Sequence, residues 1–224
     1  MAVTEDGVVQ DITMNKTRQK LIRATERLLR RDGLARVTTR KIAREAGVAE
    51  GALYHHFGDK AELLYAVVQQ SMGDFHEVLE SLPLQVGQRT VCENLEHTLQ
   101  AAFDFQFRIV PIVCSLYADQ SLLARTREIM SERGIGPQCS VAVLAVYLQA
   151  EQRLGRVAAD IEPQAAAGLL LAGGFHTAML DHLLAREVTP AAARQRLRET
   201  VRTLLTGLEP RIAAESFSAP MTGR

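Results

Sequence analysis

The residues of this sequence best placed for chemistry lie between Thr38 and Lys60, in the run TTRKIAREAGVAEGALYHHFGDK. They offer hydroxyl, phenol, imidazole and cationic groups, which suit hydrogen bonding and charge recognition. Bond-breaking chemistry finds no support: the sequence shows no nucleophile motif, nucleotide-binding loop or metal-ligand spacing. His55 and His56 are adjacent, so on a helix their side chains diverge by about 100° and do not share a metal. His176 and the pair Asp181-His182 read as helix-surface or core residues. Cys92, Cys114 and Cys139 are far apart and lack Cys-x-x-Cys spacing, so they read as buried small hydrophobes in a reducing compartment. No cofactor and no metal is expected, and the chain is not expected to be an enzyme.

Two short helices must position these groups. Thr38 is a suitable N-cap, with Val37 placed to staple against Ile42, for a helix from about 39 to 46. Gly47 stops it, since glycine takes the positive φ of a tight turn without strain. A second short helix runs from about 50 to 56, broken by Phe57-Gly58. Ile42, Ala46, Val48 and Leu53 supply an apolar seam, and the small Ala43 allows close approach. Two short helices joined by a three- or four-residue turn form the DNA-binding helix-turn-helix, whose second helix enters the major groove.

The fixed residues of this segment resemble the TetR family signature. Thr39, Ile42, Ala43, Ala46, Gly47, Val48, Gly51, Leu53, Tyr54, His56, Phe57, Lys60 and Leu63 match it in order. The resemblance covers about residues 17–65 and identifies the chain as a TetR/AcrR family regulator. It implies an all-α protein: a three-helix DNA-binding domain followed by a larger helical ligand-binding and dimerisation domain. It further implies a homodimer that represses at a palindromic double-stranded operator and is released by a small-molecule effector.

By position, the resemblance gives Thr39 a phosphate contact, and Gly51 and Ala52 a close approach to the groove. Tyr54 and His55 would meet phosphate or base edges, His56 the DNA backbone, and Lys60 a phosphate beside the free N–H groups of the next helix. Arg40 joins them from its exposed place in the first turn. Tyr54 is alternatively a packing residue, and Lys60 alternatively a solvated lysine. Glu50 departs from the family's usual residues: an acid there repels phosphate, or accepts from cytosine N4.

Charge distribution agrees with a phosphate-binding head. Residues 16–60 hold twelve basic residues against five acids, a net +7, in a chain of net charge zero. Basic faces on solvated helices are the blander reading of that asymmetry. The chain is 47% hydrophobic and 23% charged, a globular composition rich in helix formers. No leader-like run and no stretch near the roughly 20 apolar residues of a membrane span is apparent, so a cytoplasmic location away from membranes is expected.

The expected organisation is a flexible arm at 1–15, the DNA-binding domain at 16–62, an effector-binding and dimerisation domain at 63–208, and a tail at 209–224. Asp59 and Glu62 give a capping-box-like start to a fourth helix reaching about 80. Further helices are expected at about 88–109, 111–132, 136–155, 163–186 and 190–207, with Pro111, Pro137, Pro163 and Pro190 in first turns. The small residues of 163–186 and the leucines of 190–207 suggest a four-helix homodimer interface. Phe103, Phe107, Tyr117, Tyr147, His176 and Met179, with Met130, are expected to line an apolar ligand pocket; ordinary core packing is the alternative. The fourth helix, shared by head and body, is the expected lever between effector and DNA.

Overall fold

The helices end where the sequence places glycine, proline and capping side chains. The computed structural model describes residues 5–187 and 189–207, with side chains from residue 15 onward. Its α-helices are α1 (Glu5–Asp32), α2 (Thr39–Ala46), α3 (Glu50–Phe57), α4 (Lys60–Ser81), α5 (Val91–Ala118), α6 (Gln120–Arg133), α7 (Pro137–Arg153), α8 (Pro163–Leu183) and α9 (Pro190–Thr206). No strand occurs among the described residues, so the fold is all-α. Helix α1 begins at Glu5, which makes most of the expected arm helical. The expected tail at 209–224 lies outside the described residues.

Two apolar cores hold these helices. The first joins Leu21, Ile22 and Leu28 of α1, Ile42 of α2, Leu53 and Phe57 of α3, and Leu63, Leu64 and Val67 of α4. Ile112 of α5 and Leu122 and Ile129 of α6 belong to the same cluster. The head is therefore sealed by body helices, and a boundary at residue 62 cuts through its core. The second core joins the far half of α4 to α5, α7, α8 and α9 through Phe75, Leu99, Phe103, Leu144, Tyr147, Leu170 and Leu197. Helix α4 spans both cores and is interrupted at Gly73, whose backbone is not helical.

Two expectations about α5 are corrected. Pro111 does not open a helix: α5 passes through it, because Ile109, Val110 and Ile112 are buried on either side and hold the helix together. The break falls at Asp119, whose carboxylate caps α6 by accepting from the Leu122 N–H at 3.0 Å. Helix α5 is also long and apolar enough to cross a membrane by composition alone, with a mean hydropathy of 1.2 over 18 residues. Its apolar residues pack into both cores instead, as a central helix of the body.

The small residues of α8 serve mainly inside the chain. A Cβ at Gly174 would lie 2.9 Å from Leu99 Cδ1 and 2.7 Å from Gln106 Oε1, so this glycine lets α8 press against α5. Ala167 and Ala178 are buried on the same side. Leu197 and Val201 of α9 likewise face the core rather than outward. The outward stripe of α8 is Ala165, Leu169, Ala172 and His176, with Leu169 64% exposed.

Candidate nucleic-acid interface

The Thr38 hydroxyl accepts from the Lys41 N–H at 3.2 Å, capping α2 as its sequence position requires. Gly47 closes the helix in the left-handed region (φ 67, ψ 38), and the Val48 N–H reaches back to Ala43 O at 3.0 Å. That closure turns the chain into α3. Ile42, Ala43, Leu53 and Phe57 are buried, which fixes the rotation of both helices. The opposite faces carry Arg40, Arg44, Glu50, Gly51, Tyr54 and His55, all exposed, with Thr39 and Ala52 half-buried beside them.

Tyr54 is 51% exposed, which rules out its reading as a core residue. Its hydroxyl lies 3.5 Å from Thr39 Oγ1, and Thr39 donates to Glu50 Oε1 at 3.0 Å. The three side chains thus bind α2 to the start of α3 on the outward face. A hydroxyl has one proton, and Thr39 gives it to Glu50 in this structure.

His56 is placed elsewhere. It lines an open cleft of about 320 Å³ between head and body with Arg18, Phe57, Glu62, Tyr65, Ala66, Gln69 and Arg133. Burial, His55 and Arg18 all push its imidazole below the ordinary value, so it is neutral near pH 7. Lys60 is half-buried at the start of α4; burial pushes its ammonium down and the Asp119 carboxylate partly offsets this.

The cap of α4 differs from a capping box. Asp59 accepts from the Glu62 N–H at 2.8 Å, but the Glu62 side chain turns to Arg133 at 2.7 Å. Arg125 donates to Asp59 at 2.9 Å. Burial opposes the Asp59 charge, yet the Glu62 N–H and Arg125 hold its carboxyl below the usual range. Arg133 also lies over the Tyr65 ring, 4.7 Å from its centroid. Two arginines of α6 thereby clamp the first turn of α4. Sequence reasoning missed this clamp, because its partners are 66 and 71 residues apart and nothing local links them.

Of the six residues expected to form a ligand pocket, Phe103, Phe107, Tyr147 and Met179 belong to one packed cluster, with the Phe103 and Phe107 rings 5.8 Å apart, while Tyr117 and His176 are exposed outside it. Phe103 and Tyr147 are buried in the body core, and Phe107 stacks on His182 at 4.2 Å. Tyr147 accepts from Asn94 Nδ2 at 3.0 Å. Tyr117 is 67% exposed, His176 lies on the outward face of α8, and Met179 packs against the core. Core packing accounts for Phe103, Tyr147 and Met179, whereas Cys114 and Cys139, expected to be buried, are exposed, and Cys92 is only partly covered.

Comparison with known proteins converges on the same segment. Residues 21–67 match the family model described as bacterial regulatory proteins, tetR family. The HTH-type transcriptional regulator TtgR of Pseudomonas putida is 44% identical over 64 residues, covering 29% of this chain and 30% of TtgR. The match to that relative thus spans less than a third of its length. The HTH-type transcriptional repressor BepR of Brucella suis is 27% identical over 176 residues, 71% of this chain and 78% of BepR. Among solved structures, a TetR-family regulator from Mesorhizobium loti superposes with a TM-score of 0.66 at 17% identity, covering 86% of this chain and 96% of that one.

Proposed function

The chain belongs to the tetR family of bacterial regulatory proteins through its N-terminal domain, and from that premise we propose that it is a DNA-binding transcriptional regulator. The observation that carries the reading is the α2–Gly47–α3 unit with its buried seam and its outward face of Arg40, Glu50, Gly51, Tyr54 and His55. Helix α3 enters the major groove, while Thr39, Arg40 and Lys60 contribute contacts to phosphates. Gly51 and Ala52 present no bulk where the helix meets the groove. His56 acts from the cleft behind α3 by holding that helix against α1 and α4.

The working form is a cytoplasmic homodimer on a palindromic operator. The exposed stripe Ala165, Leu169, Ala172 and His176 of α8 supports a two-fold contact beside α9. Repression is favoured by the likeness to BepR, which is named a repressor. A small effector acts by binding better to the conformation whose heads are wrongly spaced, and weakens DNA binding by that difference in affinity. The clamp of Arg125 and Arg133 on Asp59 and Glu62 supports α4 as the element that transmits the change.

The test is a salt series on the full chain with a duplex selected from random DNA. For six to ten phosphate contacts, affinity falls on the order of 10³- to 10⁵-fold between 50 and 200 mM salt. Sedimentation is expected to give a dimer for the free chain and one dimer per palindrome on DNA. A monomer at micromolar concentration, or no enrichment of any sequence, refutes the proposal.

A further inference from the structure

We infer that Glu50 is a specificity-determining residue that reads a cytosine in each operator half-site. The inference rests on the DNA-binding reading above and adds to it the base that one side chain selects.

Glu50 is the first residue of α3, exposed on the outward face, and the other charged side chains exposed there are Arg40 and Arg44. Its carboxylate is held by one side-chain bond, the 3.0 Å contact from the Thr39 hydroxyl. Thr39 in turn has one proton, and a DNA phosphate beside the start of α2 is a charged acceptor for it. When the phosphate accepts the Thr39 hydrogen bond in place of the carboxylate, Glu50 loses its donor. An ionised carboxylate has acceptor sites only, so a replacement partner on the base edges must be an N–H donor. The major groove offers two: cytosine N4–H₂ and adenine N6–H₂. In an A·T pair the N6 donor is flanked by acceptors on both sides, adenine N7 and thymine O4, which repel a carboxylate, whereas in a C·G pair N4 has guanine O6 on one side and the C5–H of cytosine on the other. Cytosine is therefore selected. The exchange also gives the acid a second effect, since its charge opposes phosphates that approach out of register.

Three forms of the full chain, wild type, Glu50→Ala and Glu50→Gln, are put through selection from random duplexes and then titrated against the selected site and its single-base variants. Wild type is expected to enrich a cytosine at one position per half-site and to lose about tenfold in affinity when it is replaced. Glu50→Ala is expected to lose that preference, keep the rest of the site and bind random DNA more tightly. Glu50→Gln is expected to shift the position toward adenine, because an amide both donates and accepts. Thermal melts verify that both variants fold. If Glu50→Ala keeps the wild-type preference, or if wild type selects adenine there, the inference is overturned while the regulator reading stands. If wild type enriches no sequence, both fall together.

Discussion

Two glycines four residues apart should respond to the same substitution with opposite signs. Gly47 sits at φ 67, and a Cβ added there meets nothing within 4 Å. Gly47→Ala therefore adds no clash; its cost is the left-handed backbone alone, about 1–2 kcal/mol. Gly51 lies inside α3, also with open space around its Cβ position. Gly51→Ala relieves a helical glycine and should stabilise by roughly 0.5–1 kcal/mol, toward the low end so close to the helix start. DNA binding should separate the pair further. Gly51→Ala places a methyl group on the exposed face and weakens operator binding although the protein melts higher. Urea unfolding of both variants, with fluorescence titration of a selected duplex, gives the four numbers. A neutral Gly47→Ala, or a Gly51→Ala that destabilises, would show that the turn and the recognition helix are not built as described.

The remaining predictions concern the outward face, the clamp and the body core. Tyr54→Ala should weaken operator binding about tenfold while changing stability by no more than about 0.5 kcal/mol, because the ring is exposed; a large drop in the urea midpoint would return Tyr54 to a packing role. Removing Arg125 and Arg133 together should leave the melting temperature nearly unchanged, since both arginines are substantially exposed, but alter the operator affinity by loosening α4. An unaltered affinity in a titration at fixed salt would remove the clamp from the transmission path. Burial pushes the Tyr147 phenol up to about 12, and Glu151 adds to this against Asn94. Its stabilising effect is thus complete below the unfolded value of about 10 and is lost as pH rises toward 12. Tyr147→Phe should flatten that part of the stability profile between pH 9 and 12; an identical slope in the variant would place its origin elsewhere.

The head was legible because its signals are local. Thr38 caps three residues ahead, Gly47 needs only its own φ, and the seam Ile42–Leu53 follows from helical spacing. The face that remains outward was then fixed by elimination. Longer-range features were not available to that reasoning. Pro111 reads as a helix start, and only the burial of its neighbours in two cores shows why α5 continues through it. Gly174 and Ala178 suggest a close helix contact, but whether the partner lies within the chain depends on where α5 falls. Aromatic residues spaced along a helix do not reveal that Tyr117 emerges into solvent while Phe103 is covered. The bond from Thr39 to Glu50 joins two helices across the turn, so it too becomes visible only once their angle is set.

Sequence-specific DNA recognition by the outward face of α3 is the claim on which the rest depends. Its most direct test is a competition at physiological salt between a selected palindromic duplex and random duplex. The wild-type chain is compared with a folded variant carrying Tyr54→Ala and His55→Ala. The account predicts a preference of at least about 10³-fold for the palindrome in wild type, collapsing toward non-specific binding in the variant. An equal preference in both proteins would contradict it.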